Sequence, residues 1–387
     1  MGREREWSAF ALLAIFGVVL GYGLLEFGVR TLHLLPDRFW QPDAELGWRH
    51  IAGKSGWWTQ EDHEFRVPVR INPQGLRDVD HAYAKPAGTM RVLLLGDSFI
   101  EALQVPMESM VGRRLETGLG ANSEVISTGV SGYGTASELA FLRREGLRYD
   151  PDLVLLAFYP GNDVKNNSPT LEDALRPVYD AEGKLLRVNP SGGDGGAGQS
   201  SKGWRDHLRA YQFFRQLLLR HPEIAAPLHG IGLLKAEGTR VVPERDGVPV
   251  DYWVFAAEPD AEWRDAWQHT EDLLTEMRAI VTAAGHRFAI VVVPSRYQIY
   301  PEFWEETVAA HPAMRGRQWD LDKPAQRVLQ WCAAHDVSCL DLAPGIRLAK
   351  GNTPLYFHYD GHWTPAGHEV AAQLIAAFIR APLASVH

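Results

Sequence analysis

Val92-Leu93-Leu94-Leu95-Gly96-Asp97-Ser98-Phe99 is an apolar run of strand length that stops in a glycine, an acid and a hydroxyl. Such a run reads as a parallel strand buried on both faces, and open α/β sheets place their chemistry at the carboxyl ends of these strands. Ser98 therefore stands where a nucleophile is placed. Asp97 and Ser98 equally suit the first turn of the next helix as caps, so the choice depends on what else the chain brings to the same edge.

Two further apolar runs end in the same manner. Glu124-Val125-Ile126-Ser127-Thr128-Gly129 leads into Val130-Ser131-Gly132-Tyr133-Gly134, and Asp152-Leu153-Val154-Leu155-Leu156-Ala157-Phe158 leads into Tyr159-Pro160-Gly161-Asn162-Asp163. Near the C-terminus, Tyr359-Asp360-Gly361-His362-Trp363 stands directly before an apolar helical stretch. In chain order these blocks supply a hydroxyl, a glycine, an amide, and an acid beside an imidazole. Together they can complete an acyl-transfer site.

The ordered set resembles the SGNH family of GDSL-type hydrolases, whose four blocks carry Ser, Gly, Asn and His, over roughly residues 90–380 with a long insertion. The resemblance implies an α/β fold: a flavodoxin-like three-layer α/β/α sandwich around a parallel five-stranded sheet. The commonest family pattern puts the acid three residues before the histidine. Here Asp360 precedes His362 by two, a spacing of some relatives.

Serine is a weak nucleophile, so a histidine must take its proton in the transition state. His362 is the candidate, with Asp360 to hold its tautomer and stabilise the imidazolium; His358 and His368 are nearby competitors. An oxyanion needs preorganised donors. The backbone N–H of Ser98, that of Gly132 and the side-chain amide of Asn162 can supply them, with turn roles as the alternative for Gly132 and Asn162. Asp97 and Asp163 read as residues that cap and orient their loops.

Other motifs fail on inspection. Gly132-Tyr133-Gly134-Thr135-Ala136-Ser137 lacks the third glycine of a dinucleotide turn and is not in the first βα unit. Gly53-Lys54-Ser55 lacks the upstream glycine of a phosphate loop, and no metal-ligand spacing is present. No cofactor or metal is expected. The formal net charge of −9 argues against nucleic acid as a partner, since phosphate binding needs clustered Lys and Arg.

Residues 7–25 hold no charged side chain, and Phe10-Ala11-Leu12-Leu13-Ala14-Ile15-Phe16-Gly17-Val18-Val19-Leu20 is strongly apolar. About 20 such residues cross a bilayer. The segment predicts a retained single-pass anchor over residues 1–30, with the catalytic domain outside the cytoplasm; a cleaved signal peptide and a buried helix are the alternatives. Residues 31–88, rich in Trp, Pro and Gly, read as a subdomain of short strands, including an edge strand within 64–71 interrupted by Pro68.

Residues 89–387 form the hydrolase-like domain. Helical patterns at residues 108–119, 136–147, 261–284, 323–334 and 365–379 alternate with strands, including 287–293 and 337–340, as parallel βαβ units require. Residues 164–258 interrupt the alternation with a glycine-rich stretch at 189–201 and an amphipathic helix at 207–220, which suit either a lid or an ornament. Cys332 and Cys339 can pair across a return turn or pack as buried thiols. Trp57, Trp58, Trp204 and Trp363, read as loop residues, are candidates for stacking on sugars.

The function these features predict is a serine esterase or deacylase that cleaves O-acyl, including O-acetyl, esters of a small molecule or a cell-envelope saccharide. The alternatives are O-acyl transfer to a saccharide hydroxyl and a catalytically inactive carbohydrate-binding module.

Overall fold

A computed structural model describes residues 2–32, 34–60, 64–168, 170–171, 178–179, 185–187, 208–219 and 244–381. The glycine-rich stretch 189–201, Trp204 and positions 207 and 220 of the expected helix lie outside the described residues.

Helix α1 (Gly2–Thr31) is followed by two antiparallel hairpins, β1 (Trp40–Asp43) with β2 (Gly47–His50) and β3 (Ser55–Thr59) with β4 (Arg66–Arg70). Pro68 lies within β4, in a two-stranded sheet where both strands are edges. The α/β unit then begins with β5 (Met90–Leu95), α2 (Ser98–Glu101), α3 (Val111–Leu119), β6 (Ser123–Ser127), α4 (Thr135–Arg144), β7 (Leu153–Phe158) and α5 (Pro160–Asn167). After α6 (Arg209–Leu219) it resumes with α7 (Ala261–Ala283), β8 (Arg287–Val292), α8 (Arg296–Ile299), α9 (Pro301–Ala310), α10 (Lys323–Ala334), β9 (Ser338–Asp341), α11 (Ala343–Ala349) and α12 (Pro365–Arg380).

Five strands form one parallel sheet in the order β9-β8-β7-β5-β6. A single row, Ser127, Leu94, Leu155, Ala289 and Ser338, runs across it in register, so the strands deliver their carboxyl ends to one edge. The chain passes from β5 outward to β6 and then returns to β7 on the other side. That reversal makes the carboxyl end of β5 the switch point where this topology opens a crevice.

Alternating side chains of β5 feed two cores. Leu93 and Leu95 pack with residues of α4, α7 and α10, among them Leu139, Trp267 and Trp331. Val92 and Leu94 pack with residues of α3 and α12, among them Leu115 and Ile375. Burying each such side chain contributes about 1.5–3 kcal/mol relative to exposure, which is why a strand flanked by helices on both faces reads as an unbroken apolar run. The hairpins join the first core directly: Trp40, Trp48, Val67 and Val69 belong to it.

The disulfide alternative holds for Cys332 and Cys339, which are bonded with their Cα atoms 6.3 Å apart, linking the end of α10 to the edge strand β9. Trp363 is not in an exposed loop. It is fully buried, its ring 5.0 Å from that of Phe99, because the residue after His362 closes a bridge to Tyr356 and turns inward beneath the site. Trp57 and Trp58 lie in β3 rather than in a loop, paired to β4. The apolar N-terminal segment is a continuous helix, and over Leu12–Thr31 it is long and apolar enough to cross a membrane.

Candidate active site

In the turn after β5 the capping reading holds for Asp97. Asp97 caps α2, its carboxylate accepting the Phe99 N–H at 2.9 Å, which leaves Ser98 as the first helical residue. The Ser98 Oγ lies 2.7 Å from Nε2 of His362, and Nδ1 of the same ring lies 2.6 Å from Oδ1 of Asp360. A carboxylate can only accept, so Nδ1 carries the proton and Nε2 accepts from the serine hydroxyl when the ring is neutral.

The two-residue spacing from acid to histidine works because of Gly361. Its φ is +82°, a left-handed value that costs an L side chain strain, and it folds Asp360 back so that the carboxylate meets the ring two residues on. The Gly361 N–H donates to the Phe357 carbonyl and the Phe357 N–H donates to the His362 carbonyl, closing the turn. His358 directs its backbone N–H to Glu64 and its ring to Phe303. His368 is buried in α12, accepts the Val111 N–H at 3.2 Å, and burial pushes its pKa down to about 3, so it is a neutral packing residue.

Asn162 is not in a turn. Pro160 starts α5, and Asn162 lies in its first turn with Nδ2 donating to Asp97 at 2.7 Å, so one buried carboxylate holds both the Ser98 helix and the amide. Gly132 has φ +78°, a left-handed turn conformation that glycine adopts without strain. Among the described residues, no hydrogen bond takes up the backbone N–H of Ser98 or of Gly132. Asp163 accepts from Thr135 Oγ1 and from the Tyr159 N–H, orienting its loop.

The local charges set the proton inventory. Burial pushes the Asp97 carboxyl up to about 6, against the Phe99 N–H and the His362 charge that pull it down. For Asp360, burial raises the pKa but the His362 charge and hydrogen bonds outweigh it, leaving it below the ordinary carboxylate range. For His362, burial lowers the pKa, but the Asp360 charge and hydrogen bond prevail and the net shift is upward.

The site opens into a cavity of about 370 Å³ lined by Ser98, Gly132, Asn162 and His362, with Trp40, Trp58, Tyr159, Arg296 and Tyr297 among its walls. Of the four tryptophans singled out for sugar stacking, Trp58 faces this cavity; Trp40, edge-on to it at 5.4 Å, was not anticipated. No group of three or more His, Cys, Asp or Glu among the described residues is arranged to hold a metal.

Sequence reasoning missed the residues that fix these loops. Buried Glu101, three positions after Ser98, accepts from Trp40 Nε1 at 2.8 Å, from His50 Nε2 at 2.5 Å, and from both the N–H (2.8 Å) and hydroxyl of Ser131. Trp48 donates its indole N–H to the Ser131 carbonyl, and Tyr133 donates back to the Trp48 carbonyl. Glu64 accepts three consecutive backbone N–H groups, those of His358, Tyr359 and Asp360, at 2.6, 3.0 and 2.9 Å. The hairpin region thus grips both the Gly132 loop and the Asp360 loop.

A family model described as the SGNH hydrolase-like domain of acetyltransferase AlgX matches residues 248–386, the part that contains Asp360 and His362. The "Probable alginate O-acetylase AlgJ" of Pseudomonas aeruginosa is 30% identical over 145 residues, 35% of this chain and 34% of that protein. Its Pseudomonas putida namesake is 26% identical over 131 residues, 33% of this chain and 31% of that protein. The chain spans about a third of the length of the curated relatives it matches. Among solved structures, a lipase/acylhydrolase from Enterococcus faecalis superposes with a TM-score of 0.35 at 15% identity, covering 75% of this chain and 95% of that one. A GDSL-like lipase from Bacteroides thetaiotaomicron gives 0.37 at 13%, covering 78% and 93%. The chain thus joins a flavodoxin-like strand order and Ser, Gly, Asn and His blocks in sequence to a C-terminal part, residues 248–386, that is similar to the SGNH hydrolase-like domain.

Proposed function

We propose that this protein moves acyl groups, O-acetyl foremost, on saccharide hydroxyls through a covalent ester on Ser98. The observation that carries this reading is the continuous relay Ser98 Oγ, His362, Asp360 at 2.7 and 2.6 Å inside the cavity. A cavity of about 370 Å³ suits a small ligand or one unit of a larger one.

Ser98 Oγ attacks the acyl carbonyl as Nε2 of His362 takes its proton. The Ser98 and Gly132 N–H groups and the Asn162 amide stabilise the oxyanion. Collapse expels the donor alcohol, which receives the proton from His362, and leaves acyl-Ser98. In the second half the neutral ring deprotonates the acceptor, whose oxygen attacks the ester and restores the serine. A saccharide hydroxyl as acceptor makes the protein an O-acyltransferase; water makes it an esterase. The names of the relatives, an acetyltransferase and an alginate O-acetylase, support transfer to a saccharide as the leading outcome.

The same proposal places α1 as a single-pass anchor and residues 89–387 outside the cytoplasm, where a Cys332–Cys339 disulfide is favoured. Residues 31–88 are then the brace of the site rather than a separate binding unit. The test uses the purified full chain with an acetyl ester donor, with and without a saccharide acceptor. Mass spectrometry is expected to find acetyl on Ser98, and the acceptor to divert acetate into O-acetylated sugar. Donor turnover that survives Ser98→Ala unchanged overturns the assignment.

A further inference from the structure

We infer that α6, from the insertion between β7 and β8, lies on the membrane surface beside the point where α1 leaves the bilayer, with Phe214 and Leu217 seated among the lipid chains. The inference rests on the reading of α1 as a membrane anchor.

The start of α6 is tied to α1. Glu26 accepts the backbone N–H groups of Arg209 at 3.0 Å and Ala210 at 2.7 Å, an acid satisfying the orphan donors of a helix N-terminus. The Arg209 guanidinium reaches the Pro36 carbonyl and Asp37, fastening the same turn to the chain that leaves α1. Val29, Leu35 and Ala210 form a small buried cluster with Leu25 and Phe213 against it.

Among the described residues, the pair one turn further on has no such cover. Phe214 is 43% and Leu217 44% exposed, three residues apart and so on one face of α6, adjoining the face that Ala210 and Phe213 turn to α1. Near the turn that receives α6, α1 exposes Leu24 and Phe27, and the segment after it exposes Leu32 and Leu34. Most of the large exposed apolar side chains of the described residues belong to α1, the segment after it and α6; Val79, Leu348 and Tyr359 lie elsewhere in the chain. An apolar surface continuous with a spanning helix meets the same solvent as that helix. A short helix with an apolar stripe and polar remainder is the kind that rests in the headgroup boundary. Bilayer lipid is therefore the occupant, and the insertion holds the α/β domain at a set orientation to the membrane.

The full chain is reconstituted in phosphatidylcholine vesicles carrying one new cysteine labelled with a polarity-sensitive dye; the two native cysteines are bonded to each other. Phe214→Cys and Leu217→Cys are compared with Val18→Cys in α1 and with Gln212→Cys, which lies two positions from Phe214 and so on another face. Each variant is first checked for a wild-type thermal melt. The expected result is blue-shifted emission at 214 and 217, quenched by doxyl lipids as at 18, with iodide quenching only 212. If 18 is quenched by doxyl lipid while 214 and 217 respond to iodide as 212 does, the inference is overturned and the anchor stands. If 18 itself is reached by iodide and not by doxyl lipid, the anchor reading fails and this inference with it.

Discussion

The parallel sheet and the hairpin region contribute to the same site in opposite ways. Strands β5, β6 and β7 carry Ser98, Gly132 and Asn162 at their ends, and each is recognisable from the few residues around it. The hairpins carry no chemical motif, yet Glu64 holds the acid loop and Trp40, His50 and Trp48 hold the Gly132 loop through Glu101 and Ser131. The candidate site groups at the strand ends are written locally because each needs one strand end. Their fixation is written at a distance, because a loop can be held only from a surface it does not itself form.

The largest effect separates the reacting groups from everything that holds them. Ser98→Ala and His362→Ala are each expected to lower turnover by about 10⁴–10⁶-fold with the fold intact, since members of such a set act as a unit. Steady-state kinetics on purified variants with wild-type melting curves checks this. If either keeps substantial turnover, the strand-end region is not the reacting one.

Next comes the buried junction of the two regions. Glu101→Ala removes the acceptor shared by Trp40, His50 and Ser131, and leaving several buried donors unpaired costs about 3–5 kcal/mol of stability. Chemical denaturation is expected to show that loss, and a change within 0.5 kcal/mol would mean that the hairpins do not depend on this carboxylate. Glu64→Ala is smaller, because its partners are partly exposed and screened. About a tenfold fall in kcat with KM nearly unchanged is expected, and Glu64→Gln, which keeps one carbonyl acceptor, restores part of it. An unchanged kcat in Glu64→Ala would confine the hairpins to a packing role.

The smallest effect is a displacement along the pH axis. The general base must be neutral, and His362 is raised above its ordinary 6.5 because Asp360 outweighs burial. Activity is therefore expected to fall on acidification with a midpoint above 6.5. Asp360→Asn removes the charge that raises the ring, so the midpoint moves down. A profile of kcat/KM against pH decides it, and a limb that stays in place in Asp360→Asn removes Asp360 from the relay.

Much of the sheet and the four blocks was legible because their signals are local: an apolar run, a glycine, a polar residue, then a helical period. The helix expected at residues 136–147 ends at Arg144 instead, where the chain tightens into a short turn at Gly146–Tyr149. Asp360 was harder, since a spacing of two suits the geometry only with Gly361 at positive φ, and φ is not written in composition. Trp363 was misplaced because a tryptophan beside a glycine turn looks like a loop residue until the bridge to Tyr356 turns it inward. Glu64 could not be found at all: it pairs with a residue 294 positions later, and nothing near either one marks the other.

That separation also orders events in the life of the chain. Contacts between segments so far apart form late, because closing the intervening chain costs entropy before the contact contributes anything. Glu64 is made 294 positions before the residue whose N–H it receives, and Ser98 stands 264 positions before His362. On the proposed reading, Ser98 gains its base only when the turn at His362 has folded back against it.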